Sequence, residues 1–225
     1  MKQTQFDKHT IAWFKIAECV SRGEKERALG VYRLLSHSFN DNAIARQLEA
    51  DIYCSFGEIE QAFPLYQQAM EWYTKSDRFL EAAAVGEHLV VMRSADISLR
   101  RDMVQLYLSL GMITKIREHI HVLVELFGQK QQWYDVKNMI IECARFADGS
   151  GRVGIYSDII VRAHKVGCPW DIIAYSIEQA LDDLCHVDNE KCIQGFLLSL
   201  HAFSNELHDH AVMYLKNSVI NYIVS

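Results

Sequence analysis

Four residues of matching type return after one interval of 34 positions: Gly23, Ala28, Tyr32 and Leu35 recur as Gly57, Ala62, Tyr66 and Ala69. A unit of that length is one supersecondary element with an apolar face it cannot bury alone. Copies must therefore stack and share a core, which restricts the chain to a repeat array. A second interval, of 54, carries Tyr53-x-x-x-Gly57 to Tyr107-x-x-x-Gly111, Phe79 to Trp133, and Ala28 to Ala82 and Val136. The two intervals agree if one helix, over 58–75, closes one hairpin and opens the next. Beyond about residue 148 the matched pairs fade, so 1–148 is expected to form the repeats and 149–225 a degenerate repeat or a cap on the same array.

Apolar residues recur at helical spacing along nearly the whole chain. The expected helices are 8–21, 24–38, 41–55, 58–75, 78–93, 96–109, 112–128, 132–147, 152–166, 169–185, 189–204 and 207–222, about twelve in all. Asn40-Asp41 opens the third and Asp96 the sixth with cap chemistry. Pro169 is expected just inside the tenth, where its missing N–H costs nothing. Gly23, Gly57 and Gly111 fall where a helix must end in a left-handed residue. With 2 Pro and 11 Gly in 225 residues, there is little room for disordered linkers. Pro64 conflicts with the fourth helix, which should kink there or start later.

Charge narrows the function classes. The net charge of −6 arises entirely after residue 170, where Lys191 and Lys216 stand against Asp171, Glu178, Asp182, Asp183, Asp188, Glu190, Glu206 and Asp209. A chain with no basic stripe is not expected to bind nucleic acid. The acidic end either steers a basic partner or simply keeps the surface soluble. No apolar run spans a membrane and the first residues lack a signal-peptide core, so the expected location is the cytoplasm.

The repeated residues resemble the tetratricopeptide repeat. Ala50, Tyr53, Gly57, Ala62, Tyr66 and Ala69 match that family's pattern at every position, while the first hairpin has Cys19 in place of the usual Tyr. The hairpin at 97–128 has Ile116, Ile120 and Leu123 where the pattern has Ala, an aromatic and Ala. The resemblance covers roughly the first two thirds. It implies an all-α fold, a right-handed α-solenoid of antiparallel helix hairpins, that holds a partner's peptide segment on its concave face. The family's carboxylate clamp uses Lys, Asn and Arg. The corresponding positions here hold Trp13 and Ala17, Gln47 and Asp51, and Arg101 and Gln105. That set does not make a clamp, and Asp51 would repel a carboxylate. The resemblance leaves Trp13 as an apolar anchor and Gln47, Asp51, Arg101 and Gln105 as polar readers of a protein or peptide partner.

No constellation proposes catalysis. Gly149-Ser150-Gly151-Arg152-Val153-Gly154 fits G-x-G-x-x-G, but a helix precedes it where a dinucleotide site needs a strand, so a flexible turn is expected. His119 and His121 point to opposite faces of a helix. His208-Asp209-His210, with His201 nearby, has tolerable ligand chemistry only if the chain is a loop there. Asp188, beside Cys185-His186, reads as a turn residue. The six cysteines form no C-x-x-C pair and read as small core residues. No cofactor or metal is expected. The expected function is a non-catalytic scaffold or adaptor. The alternatives are a homo-oligomer assembling through the apolar C-terminal helix from Ala211 to Val224, and a histidine-rich metal-binding protein.

Overall fold

The computed structural model describes residues 8–37, 39, 41–144, 149–186 and 190–224, with side chains at 11–37, 39, 41–143, 149, 151–186 and 190–218. Among them are twelve α-helices and no strand. They are α1 (Lys8–Ser21), α2 (Lys25–Ser36), α3 (Asn42–Ser55), α4 (Ile59–Lys75), α5 (Phe79–Met92), α6 (Ile97–Leu110), α7 (Ile113–Gln129), α8 (Trp133–Ala144), α9 (Gly149–Lys165), α10 (Trp170–His186), α11 (Glu190–Phe203) and α12 (Asn205–Val224). The all-α architecture is the expected one.

The 54-residue period has a physical counterpart in the turns. Among the described residues, left-handed residues end helices at Gly23, Gly57, Asp77, Gly111, Gln131 and Gly167, with φ from 55° to 80°. The same two bonds form at each. At the end of α3, Gly57 N–H donates to the Cys54 carbonyl at 2.9 Å and Glu58 N–H to the Tyr53 carbonyl at 3.0 Å. This is the Schellman arrangement, which satisfies carbonyls the helix leaves orphaned. Gly23, Asp77 and Gln131 are spaced by 54 residues, as are Gly57 and Gly111.

Two helix starts, of α3 and α6, are fixed by side chains. The Asp41 carboxylate accepts from the N–H groups of Ala43 and Ile44, capping α3. Asp96 accepts from Leu99 N–H at 3.0 Å at the start of α6. Pro169 lies just outside α10, not inside it, and its carbonyl accepts from Ile172 and Ile173. Asn40 and Asp188 lie outside the described residues.

Two expectations need correction. Pro64 does not delay the start of α4, which runs from Ile59 to Lys75 through it. Pro64 is exposed, so the Glu60 carbonyl it deprives of a donor lies on a side open to water. The run from Gly149 to Gly154 is no turn: it forms the first turns of α9. Ile155, Tyr156, Ile159 and Ile160 are buried at helical spacing just beyond it. Their burial, about 1.5–3 kcal/mol for each Ile, outweighs the roughly 1 kcal/mol that a helical Gly costs.

Contacts divide the chain between Leu99 and Arg100 into two compact units. In the first, α1 packs on α2, α3 on α4, and α4 also on α5, so α4 is shared between two hairpins as the paired intervals require. Ile16 and Cys19 of α1 meet Leu29, Tyr32 and Leu35 of α2 and Leu48 and Ile52 of α3. Ala28, Ala62, Ala69 and Ala82 have no exposed surface. Their small side chains let helix axes approach closely. In the second unit, α9 packs on both α7 and α11, and α10 on both α8 and α12, with α9 also against α8 and α10. Phe127, Tyr156, Ile177, Leu184 and Phe196 are fully enclosed at its centre.

Candidate functional site

The five residues singled out by sequence fall in both units. Trp13 lies on α1 of the first, beside Ile11 and Phe14, and Phe14 is 70% exposed. The inward residues of the same helix, Ile16 and Cys19, are buried in the core. Ile11 and Phe14, one turn apart, therefore face water on a helix anchored on its other side, and Trp13 is exposed at the far edge of that face.

Gln47 and Asp51 sit one turn apart on α3, and both are engaged inside the first unit. Tyr73 Oη donates to Gln47 Oε1 at 2.9 Å, and Tyr66 Oη donates to the Asp51 carboxylate at 2.5 Å. Burial pushes the Asp51 carboxyl up from its ordinary value, against the opposing effects of the Tyr66 hydroxyl and nearby His88. Tyr32 of α2 makes a third such bond, to Glu49 of α3 at 3.1 Å. Burial and Glu49 push the Tyr32 hydroxyl up to about 12. In the repeat pattern Tyr32 and Tyr66 figure only as matched aromatic positions. The available signal was a carboxylate 15 or 17 residues from each tyrosine, on the facing helix.

Arg101 and Gln105 are one turn apart on α6, in the second unit. Arg101 forms an ion pair with Asp135 of α8 at 2.6 Å and lies over the Phe127 ring. The Gln105 side chain is exposed. The structure thus brings Gln47 to Asp51 and Arg101 to Gln105, each pair by one helical turn. Three of the four polar readers already have partners within the fold.

Seven of the ten histidines lie in the second unit, with His9 on α1, His37 just after α2 and His88 on α5. His119 is buried against Tyr107, while His121 on the other side of α7 lies 3.2 Å from Asp158. His201 and His208 rings approach to 4.8 Å between centroids. α12 is a regular helix, so His210 diverges and meets Glu178 of α10 at 3.2 Å. Among the described residues, no three His, Cys, Asp or Glu side chains converge in a way that could hold a metal ion. Cys19, Cys143, Cys168 and Cys192 are buried as free thiols. Burial pushes the Cys143 thiol up to about 12.

The acidic surplus near the C-terminus is partly consumed internally. Asp182 accepts from Tyr214 at 2.8 Å, and Asp183 accepts from Tyr156 at 2.7 Å and pairs with Arg152. Together with Glu178 on His210, these carboxylates tie α10 to α9 and α12. Leu207 and Ala211 of α12 are fully buried, so the first half of that helix docks on its own unit. The side chains after residue 218 lie outside those described. No described helix is long and apolar enough to cross a membrane.

No family model matches this chain, and no curated protein matches it. Among solved structures, it is similar to a chain in the structure of Naa15/Naa10 bound to HypK-THB, with 11% identity and a TM-score of 0.26. The likeness covers 93% of this chain and 39% of that one, so this chain spans well under half its length. A TM-score of that size adds nothing to the fold described above.

Proposed function

We propose that the protein is a non-catalytic scaffold or adaptor of tetratricopeptide-like hairpins, working in the cytoplasm. It holds a segment of a partner protein against side chains fixed by rigid helices. In this reading 1–148 are the repeats and 149–225 a degenerate repeat or a cap. The observation that carries it is the exposure of Ile11, Trp13 and Phe14 within one turn of α1, whose buried side, Ile16 and Cys19, is locked into the core. Three large apolar side chains exposed within four residues of a rigid helix offer a partner apolar contact. Trp13 is the anchor in the first unit, and within the second unit Gln105 is an accessible polar residue. Gln47, Asp51 and Arg101 serve mainly by holding the helices in place.

Affinity capture from a lysate of the source cells tests this reading. The intact chain is compared with Trp13→Ala/Phe14→Ala and with Gln105→Ala, each checked for unchanged helicity. A protein held by the intact chain and lost with Trp13→Ala/Phe14→Ala is expected. Equal recovery by all three would remove the α1 face from consideration.

A further inference from the structure

A cleft of about 390 Å³ opens on the second unit, lined by residues of α7, α9 and α11. α9 packs on both of the other helices. Its Gly154, Ser157, Asp158 and Val161 recur at helical spacing and share the face that lines the cleft. Arg117 comes from α7, and Ser199, Ala202 and Phe203 from α11. The volume falls within the range of ligand pockets, about 300–1,000 Å³.

Two of these residues keep hydrogen-bonding capacity that the fold leaves unused. Ser157 is 8% exposed, and its hydroxyl has no partner. Ser176 and Ser199 of the same unit donate to the carbonyls four residues before them, at 2.7 and 2.9 Å, and Ser157 makes no such bond. A buried hydroxyl without a partner is costly, because it has given up water and gained nothing. Asp158 is the second. Its Oδ2 accepts from Arg117 Nε and, at 3.2 Å, from His121 Nε2, whereas its Oδ1 accepts only from Arg117 Nη2, at 3.1 Å. A carboxylate oxygen has two acceptor positions, so one on Oδ1 is open.

The charges around the cleft are matched. Arg117 pairs with Asp158, and Arg162 with Glu125 at 2.8 Å. Arg162 also lies 3.1 Å from His121 Nδ1. A guanidinium only donates, so Nδ1 accepts and the His121 ring carries its proton on Nε2, toward Asp158. With no excess of either sign, the cleft suits a neutral occupant rather than an ion.

We infer that the cleft takes the side chain of a tyrosine from a partner protein. The phenol oxygen donates to Asp158 Oδ1 and accepts from the Ser157 hydroxyl, which turns toward it about its Cα–Cβ bond. The ring lies over Gly154, where an added Cβ would meet no atom within 4 Å, and against Val161, Ala202 and Phe203. The second unit uses the same pairing internally, since Tyr156 donates to Asp183 at 2.7 Å and Tyr214 to Asp182 at 2.8 Å. An indole N–H only donates and a carboxylate only accepts, so neither satisfies both groups. The cleft lies in the second unit and forms a contact additional to the α1 face.

The test is an NMR titration of the isotope-labelled full-length protein with acetyl-Gly-Ser-Tyr-Ser-Gly-amide. Saturable shifts of the amide signals from 154–161 and 199–203 are expected. Phenylalanine in place of the probe's tyrosine should weaken binding about tenfold, through loss of one hydrogen-bonding group. Ser157→Ala should weaken binding of the tyrosine probe several-fold and leave that of the phenylalanine probe unchanged. Its melting temperature should equal or exceed that of the native chain, because the hydroxyl it removes has no partner. Gly154→Leu should fill the space and abolish binding with the helix retained. Trp13→Ala/Phe14→Ala should bind the probe as the intact chain does, which separates this cleft from the α1 face. No saturable shift up to millimolar peptide, equal affinity for the two probes, or unchanged affinity in Ser157→Ala would each overturn the inference. So would a melting temperature several degrees lower in Ser157→Ala, because the hydroxyl would then already be satisfied within the fold.

Discussion

The hydroxyl of Tyr66, on α4, donates to the carboxylate of Asp51, on α3. One turn earlier on α3, Gln47 accepts from Tyr73, and Glu49 turns the other way to accept from Tyr32 of α2. The aromatic bodies fill the space between helices, and each buried hydroxyl then needs an acceptor, because an unpaired one costs about 1–3 kcal/mol. α3 supplies all three acceptors. The central helix of the first unit is thus pinned on both sides by polar contacts at fixed heights, which sets the register of α2 and α4 against it.

That arrangement makes Asp51 a liability at neutral pH. Its carboxyl is pushed up from its ordinary value of 3.8, chiefly by burial. As pH rises from 3.8 through the folded value, the unfolded chain releases its proton first, so stability falls across that window and then levels off. Asp51→Asn keeps an acceptor for Tyr66 and removes the charge. The melting temperature of Asp51→Asn minus that of the native chain should be near its minimum below pH 3.8 and rise to a plateau by pH 7. Thermal melts of both proteins across pH 3–7 provide the check, and a difference that falls with pH would contradict it.

The helix ends give a second expectation. Asp77 and Gln131 occupy the left-handed position that Gly takes at the equivalent turns. For a non-Gly residue this conformation costs roughly 1–2 kcal/mol. Asp77→Gly and Gln131→Gly should each stabilise their unit by about 0.5–1 kcal/mol, after the extra backbone entropy of Gly is counted. Gly57→Ala should destabilise by about 1 kcal/mol through the same strain, although an added Cβ there meets no atom within 4 Å. Urea unfolding midpoints would rank the three variants.

These turns also mark how far the sequence could be read. Gly23, Gly57 and Gly111 announce their left-handed role, whereas Asp77 and Gln131 perform it with no compositional sign. Helix positions were legible because apolar periodicity and breakers act locally, and most ends fall within two residues of expectation. The Gly149–Gly154 run misled because local glycine content was outweighed by burial of Ile155, Tyr156 and Ile159 against other helices. Gln47 and Asp51 were assigned an outward role by resemblance, but their partners are tyrosines 26 and 15 residues away on α4. Such a pairing depends on how α3 and α4 face one another, which periodicity does not specify.

Pro64 is an internal weakness of α4. It removes one backbone hydrogen bond and crowds the Glu60 carbonyl, yet α4 continues through it. Pro64→Ala should stabilise the first unit by about 1–3 kcal/mol, toward the lower end because the residue lies within the first two turns. The gain should appear as slower amide exchange in the first half of α4, with α9 and α10 unchanged. Faster exchange there would mean that proline's restriction of the unfolded chain dominates.

Gly128, in the last turn of α7, reports how closely that helix lies against the end of α9. A Cβ placed on it would come within 3.0 Å of Val166 Cγ2 and 3.3 Å of Trp133 Cη2. Helical propensity alone favours Ala over Gly by about 1 kcal/mol, whereas overpacking costs about 1–3 kcal/mol. Contact this short with a β-branched side chain, stiff at χ1, should let the overpacking prevail. Gly128→Ala is therefore expected to destabilise by about 1 kcal/mol. Trimming the obstacle should reverse the sign, so that Gly128→Ala stabilises when introduced into a Val166→Ala background. The coupling energy from the four proteins of that double-mutant cycle, measured by chemical unfolding, should be favourable and about 1 kcal/mol or more. Additive effects would show that Val166 moves aside freely and that α7 and α9 are not in fixed contact at this end.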